Sequence, residues 1–493
     1  MGGHVFSRRS LVGTSLGASL AVPAVMGGGR ASAQESATSW SVDSSIRPVL
    51  TPVAEMAEAD ASEVHVSLAP QVPPPIARTD QRTWSVHLES IEGIAPLDPA
   101  NTVNTEMWGY REAGQENILA GSPGPVLRGR VGDFVTIKLT NLKSSKHPHN
   151  IDFHAVTGQG GGAAALTVNP GESKSVSIRL LYPGVYMYHC AAEDVPVHIA
   201  HGMYGMFIVD PETPLPAVEH EWSISQSEWY VSDPGPADEG VAKFNRESLL
   251  AEHPRYVTFN GRTDALTGDN ALKMKVGERA RIYFVNQGLN LVSSFHPIGS
   301  HWDVVYPEAG THPANRVIRG SQSTLVVAGG GTVAELDAIV PLTIVLVDHA
   351  LSRVFYKGCI GQIVVEGEPN PEIFVAHDGE SAEGHDMTAS PVAADFQVAI
   401  PDGAYLPENA DHSYEPMVLK VPVGSTVQWT NHDIISHTVT SGTSDGLAGI
   451  PDGKFDSGYI DAGGTFLMTF TEAGSYPYFC IPHPWMRAAV IVE

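Results

Sequence analysis

Three stretches of this chain repeat one pattern. Val131 to Asn141 (VGDFVTIKLTN) alternates apolar and polar residues after a Val-Gly step and stops at Asn. Val276 to Asn286 does the same, and so does Val423 to Asn431. A period of two marks a strand with one buried face. The recurrence, about 145 residues, is that of whole domains rather than of solenoid units. No long amphipathic helical pattern lies between the copies, and from about Thr83 short β-type runs alternate with Gly, Pro and Asn. The expectation is an all-β chain of three Greek-key β-sandwiches, at 76–210, 211–367 and 396–493.

Each repeated strand is followed six to ten residues later by a histidine: His149, His296 or His437. The first leads toward Tyr186–Met203, YMYHCAAEDVPVHIAHGM, where His189 and Cys190 stand side by side and His198 and Met203 follow. Thiolate, imidazole and thioether on one loop form a soft donor set, which suits copper in a site of two His, one Cys and a weak axial Met. The second imidazole is available upstream in HPHNIDFHA, as His149. That stretch also offers His147, Asp152 and His154. Adjacent residues on a strand point to opposite faces. Cys190 with His149, His198 and Met203 therefore makes one site, while His189 and His154 aim at a second place. Two imidazoles make a poor site, so a third ligand has to come from another domain or subunit.

The end of the chain repeats the donor set. FCIPHPWM holds Cys480, His483 and Met486, with His437 upstream in the role of His149.

The runs HNIDFHA and YHCA, then His198 and Met203, resemble the copper-containing nitrite reductases. The likeness continues through FNG…ALTG, SFHPIGSH and VDHAL, and covers nearly all of residues 80–367. It implies cupredoxin sandwiches assembled as a homotrimer, with an electron-transfer (type 1) copper in the first domain and a catalytic (type 2) copper between subunits. It further implies type 1 ligation by His149, Cys190, His198 and Met203. Type 2 ligation falls to His154 and His189, with His349 arriving from the neighbouring subunit. Asp152 matches the family's acid, His296 its second proton donor, and Ile298 the residue that crowds the substrate; His301 is given no role. The implied reaction is the reduction of nitrite to nitric oxide, with one electron and two protons. Copper ions holding an open position polarise the nitrite oxygens, and the two donors supply protons from within hydrogen-bond reach.

The C-terminal set, His437, Cys480, His483 and Met486, resembles plastocyanin- and amicyanin-like blue copper proteins. A fused domain of that kind implies an electron relay or built-in donor, fed by a small redox protein or a membrane-linked source. The core departs from the common family pattern in the loop after Cys190. Seven residues separate it from His198 rather than eight, Glu193 and Asp194 stand where Pro and Gly are usual, and Val197 replaces a Trp. The second domain has no Cys at the matching loop, so no type 1 copper is expected there.

Two rival readings differ in the residues they require. A multicopper oxidase needs several His-x-His pairs and a His-Cys-His core. Here His147-Pro148-His149 is the one such pair, and Cys190 and Cys480 are followed by Ala191 and Ile481. A multi-domain copper electron-transfer protein without nitrite turnover needs neither Asp152, His154, His296 nor His349.

The remaining features concern placement. Ser7-Arg8-Arg9-Ser10-Leu11, an apolar run to about Met26 and Ala31-Ser32-Ala33 read as a twin-arginine signal peptide over 1–33. Export by that route places the protein in the periplasm or on the outer cell surface. Residues 34–75 read as an extended N-terminal arm, and 368–395 as a polar linker in which His377 and His385 are solvated. A formal charge of −26 argues against nucleic acid and anionic membranes as partners. Of the three cysteines, two belong to copper patterns. Cys359 is then unpaired, which excludes a disulfide framework and leaves it as a small core residue. The apolar run Ala338–Val347 reads as a buried strand, not a membrane span.

Overall fold

A computed structural model of the chain describes residues 46–115, 123–232, 234, 240–375, 394–460 and 464–493. The expected signal peptide, the start of the arm and most of the linker, with His377 and His385, lie outside the described residues. The described chain is built of strands in six sheets. Its longest α-helices, Val195–Ala200 and Ser352–Lys357, have six residues each.

The sheets pair around three hydrophobic cores. One packs Val86 and Leu139 of one five-stranded sheet against Phe153 and Phe207 of another. The second gathers Ile282, Phe284, Phe295 and Trp302, and the third Val427, Trp429, Tyr478 and Val490. Cys359 lies wholly buried in the second core, just before the strand Ile360–Glu366. The strand in the Ala338–Val347 run starts later than its apolar residues do, at Leu342–Asp348, after Pro341.

The three sequence copies become the strands Phe134–Asn141, Arg279–Asn286 and Thr426–Asn431. Each has a parallel partner on one side and an antiparallel partner on the other. Gly132, Gly277 and Gly424 enter them in the left-handed region, at φ 91°, 94° and 91°, which only glycine adopts without strain.

The terminal asparagine explains the end of the repeat. Asn141 Nδ2 donates to the carbonyls of His147 (2.8 Å) and Val168 (3.2 Å). Asn286 does the same for Leu291 and Val326, and Asn431 for Ile435 and Ile460. All three side chains are fully buried, and each amide adds a donor to two backbone carbonyls. The backbone of Val168 in turn bridges His149, and that of Ile460 bridges His437. The repeated motif is thus a latch on the segment that leads from the strand toward the histidine.

The first two sandwiches share a buried seam. Val185, Met187, Tyr204 and Met206 pack against Tyr283, Val285 and Val333. Beside it Arg128 pairs with Asp210 (2.9 Å) and Glu221 (2.6 Å), and Arg281 with Glu221 (3.0 Å) and Glu335 (2.6 Å). Tyr283 Oη donates to Glu221 at 2.7 Å. The described part of the arm, 46–75, is tied to this network. Its Val66–Ser67 pairs with Val126–Leu127, and Pro73 O accepts from Arg128 at 2.8 Å.

Candidate metal centres

In the first domain three fully or nearly buried donors converge. Cys190 Sγ lies 3.3 Å from His198 Nδ1 and 3.9 Å from His149 Nδ1, and the two imidazole nitrogens are 3.3 Å apart. Met203 is fully buried, and its carbonyl accepts from the Cys190 N–H at 3.0 Å, which brings it to the same end of the sandwich. Asn150, next to His149, holds the cysteine in place. Its N–H points at Sγ (3.5 Å) and its Oδ1 accepts from Ala191 N (2.7 Å). Tyr110 Oη donates to the Asn150 carbonyl at 2.5 Å.

The C-terminal pocket follows the same plan. Cys480 Sγ lies 3.4 Å from His483 Nδ1 and 3.7 Å from His437 Nδ1. Thr438 takes the part of Asn150: its N–H approaches Sγ at 3.3 Å and its hydroxyl accepts from Ile481 N at 2.8 Å. Tyr414 Oη donates to the Thr438 carbonyl at 2.7 Å, and Cys480 N donates to the carbonyl of the fully buried Met486 at 3.2 Å. Two Nδ1 donors and one sulfur, closed off from water beside a buried thioether residue, fit copper in both pockets.

A third cluster gathers Asp152, His154 and His189, whose ligand atoms lie within 4.8 Å of one another. His154 Nε2 is 3.2 Å from His189 Nε2, and His189 Nδ1 sits 3.0 Å from the Cys190 carbonyl. His189 therefore donates through Nδ1 and leaves Nε2 free as the ligand atom. The strand Asp152–Phe153 pairs with the end of Gly184–His189 and sets Asp152 opposite His189. Gly161, at φ 56°, lies directly on the carboxylate: a methyl group there would stand 1.8 Å from Asp152 Oδ1.

His349 is not in that cluster. It lies on the second domain with His296, ring centroids 5.1 Å apart and ring planes at 66°. Its N–H donates to Ser294 O, and His296 Nδ1 donates to the Gln322 carbonyl. Ile298 is two residues beyond His296 on the strand Ser293–Ile298, so the two share a face.

Burial sets the protonation of the donors in both pockets. It pushes the Cys190 thiol up, and the Cys480 thiol to about 11. Burial, with the neighbouring imidazoles, holds His198 and His483 down at about 4. The imidazoles are thus neutral and ready to ligate, while each thiol gives up a proton when metal enters.

Two neighbours of the first site carry no signal in the sequence. Glu92, on the strand Thr83–Asp98, accepts from His149 Nε2 at 3.0 Å and from the backbone N–H groups of Lys146 and His147. Burial works against its charge, but these donors outweigh burial and hold it at about 2. Trp108, paired with Glu92 across the sheet, stacks on His201 at 4.0 Å and meets His198 edge-on at 5.0 Å. Asp433 accepts from His437 Nε2 at 2.9 Å; an acid four residues before a candidate ligand was there to be read.

Known proteins share both halves of this arrangement. Residues 96–213 match the family model described as multicopper oxidase, and 405–493 that of copper binding proteins of the plastocyanin/azurin family. A copper-containing nitrite reductase of Neisseria meningitidis is 42% identical over 323 residues, 66% of this chain and 79% of that protein. That of Neisseria gonorrhoeae is 41% identical, across 68% and 81%. The solved copper nitrite reductase of Nitrosomonas europaea superposes with a TM-score of 0.50 at 34% identity, over 59% of this chain and 96% of that one. The extent of these matches, together with copper-fitting pockets at the expected residues, settles the family: this chain belongs to the copper-containing nitrite reductases.

Proposed function

We propose that the chain reduces nitrite to nitric oxide at a copper site shared between two copies of itself, and that its C-terminal domain relays electrons to that site. In this reading His149, Cys190, His198 and Met203 hold the type 1 copper. His154 and His189 hold the type 2 copper together with His349 of a second copy in a homotrimer. His437, Cys480, His483 and Met486 hold the relay copper. Bound copper supplies the electron and polarises the nitrite oxygens.

The chain's own groups do the rest. Asp152, beside both His154 and His189, is placed to pass a proton to a nitrite oxygen. His296 is the second donor, and its Nδ1 bond to Gln322 O leaves Nε2 for that task. Ile298, on the same face as His296 and 39% exposed, limits how nitrite can lie. His189 and Cys190 are consecutive, so the two ligand sets of the core are joined by a covalent path.

The observation that carries the reading is the division of the histidines. His154 and His189 form one half-site, His296 and His349 another, and the exposed His154 and His349 lie on different domains. Exposed Leu325, on the strand paired with that of His296, suits a subunit contact beside the second half-site. The twin-arginine leader supports export to the periplasm or outer cell surface, where a small redox protein or membrane-linked source would feed the C-terminal domain. The test is nitric oxide release from nitrite by the copper-loaded chain, driven by a reduced dye. His154→Ala and His349→Ala should each be inactive alone and regain activity when unfolded and reassembled together. Failure of the mixture, with each variant folded and blue, would remove the shared site. Cys480→Ser should retain dye-driven turnover and lose turnover driven by a protein donor.

A further inference from the structure

The two candidate copper pockets share a plan although their Cys-to-His loops differ in length. Asn150 and Thr438, Tyr110 and Tyr414, and Met203 and Met486 stand at corresponding places and make corresponding bonds. Each pocket also places a buried carboxylate on the outer nitrogen of its upstream histidine, and here the origins differ. Glu92 comes from the strand Thr83–Asp98, far upstream of His149, with its side chain 4% exposed. Asp433 comes from the loop just before His437, with its side chain fully buried. Glu92 Oε1 lies 3.0 Å from His149 Nε2, and Asp433 Oδ2 2.9 Å from His437 Nε2. Both acids are also fixed by backbone donors, Lys146 and His147 for Glu92, and Tyr405 and Ile434 for Asp433.

We infer that Glu92 and Asp433 are positioning residues that lower the reduction potentials of the two blue copper centres. Each carboxylate accepts a hydrogen bond from the Nε2–H of its imidazole, which fixes the tautomer and turns Nδ1 to the metal. Each also sets a negative charge one ring away from the ion in a site closed to water, where charge is poorly screened. A negative charge there favours the cupric over the cuprous state. The inference rests on the ligand sets proposed above.

The test uses the full chain loaded with copper. Cys190→Ser and Cys480→Ser each remove one blue centre and so isolate the absorption of the other. If either substitution leaves both blue centres in place, the ligand sets fail, before the acids are questioned. In the isolated centres, Glu92→Gln should raise the midpoint potential of the core centre, and Asp433→Asn that of the C-terminal centre. Each should leave the other centre unchanged. Glu92→Asp and Asp433→Glu, which keep the charge, should return most of the shift. An intact blue centre whose potential does not move on neutralisation would overturn the inference. If Glu92→Gln does not fold, Asp433→Asn decides it, because the acids sit in separate domains.

Discussion

His189 and Cys190 are joined by one peptide bond and serve opposite clusters: the imidazole faces His154 Nε2 at 3.2 Å, while the sulfur faces His198 Nδ1 at 3.3 Å. The alternation of a strand end separates the two functions. His189→Ala should therefore cut nitrite turnover by at least about 100-fold, since losing even an outer partner of a ligand costs 10–100-fold. It should leave the blue absorption of the core intact. Bleaching of the core centre by His189→Ala would contradict the separation.

Gly161 offers a subtler handle on the same site. Its positive φ and its contact with Asp152 leave no room for a side chain. Gly161→Ala should force the carboxylate aside and cost about 1–2 kcal/mol of stability through backbone strain. Turnover should fall while both blue bands remain, as measured by nitric oxide release and visible spectra on one preparation.

The buried charges between the first two domains predict a loss of stability. Removing Arg128 leaves Asp210 and Glu221 without their shared cation. Breaking a buried pair from one side typically costs about 3–5 kcal/mol. Arg128→Met should lower the denaturant midpoint of the core by a corresponding amount, and a variant as stable as the parent would show that the network is dispensable.

The depressed imidazoles predict how the copper-free protein responds to acid. The folded pKa values of His198 and His483, about 4, lie below the usual 6.5. Their contribution is fully present above pH 6.5 and is lost as pH falls from 6.5 to about 4, where the unfolded chain takes up protons that the fold refuses. The urea midpoint of the apo protein should decline through that window. Copper, which binds neutral imidazole, should shift the decline to lower pH. An apo midpoint flat from pH 6.5 to 5 would contradict this.

The candidate metal donors are legible because their spacing is local: Cys190, His198 and Met203 occupy one loop, as do Cys480, His483 and Met486. The repeated strands were legible because burial on one face writes a period of two. What surrounds the ligands was not, because it depends on register. Glu92 reaches His149 only through the pairing that sets it opposite Trp108. Gly161 looks like any loop glycine until Asp152 is seen beneath it. Asp433 is the exception, overlooked although its distance from His437 along the chain is short. The arm gave composition but no partner; its tie to Arg128 arises from the folded sandwich.

The asparagine latch appears in all three domains, including the second, where Asp348-His349 replaces the Cys loop and no blue centre is expected. A device present where no blue centre is expected is not organised by one. Each sandwich can therefore fold first and accept its ion afterwards, through a mould already set by backbone and amide. Copper in the blue pockets is then a passenger that can leave and return without unmaking its seat, and stripping it should leave the strand content of the chain unchanged.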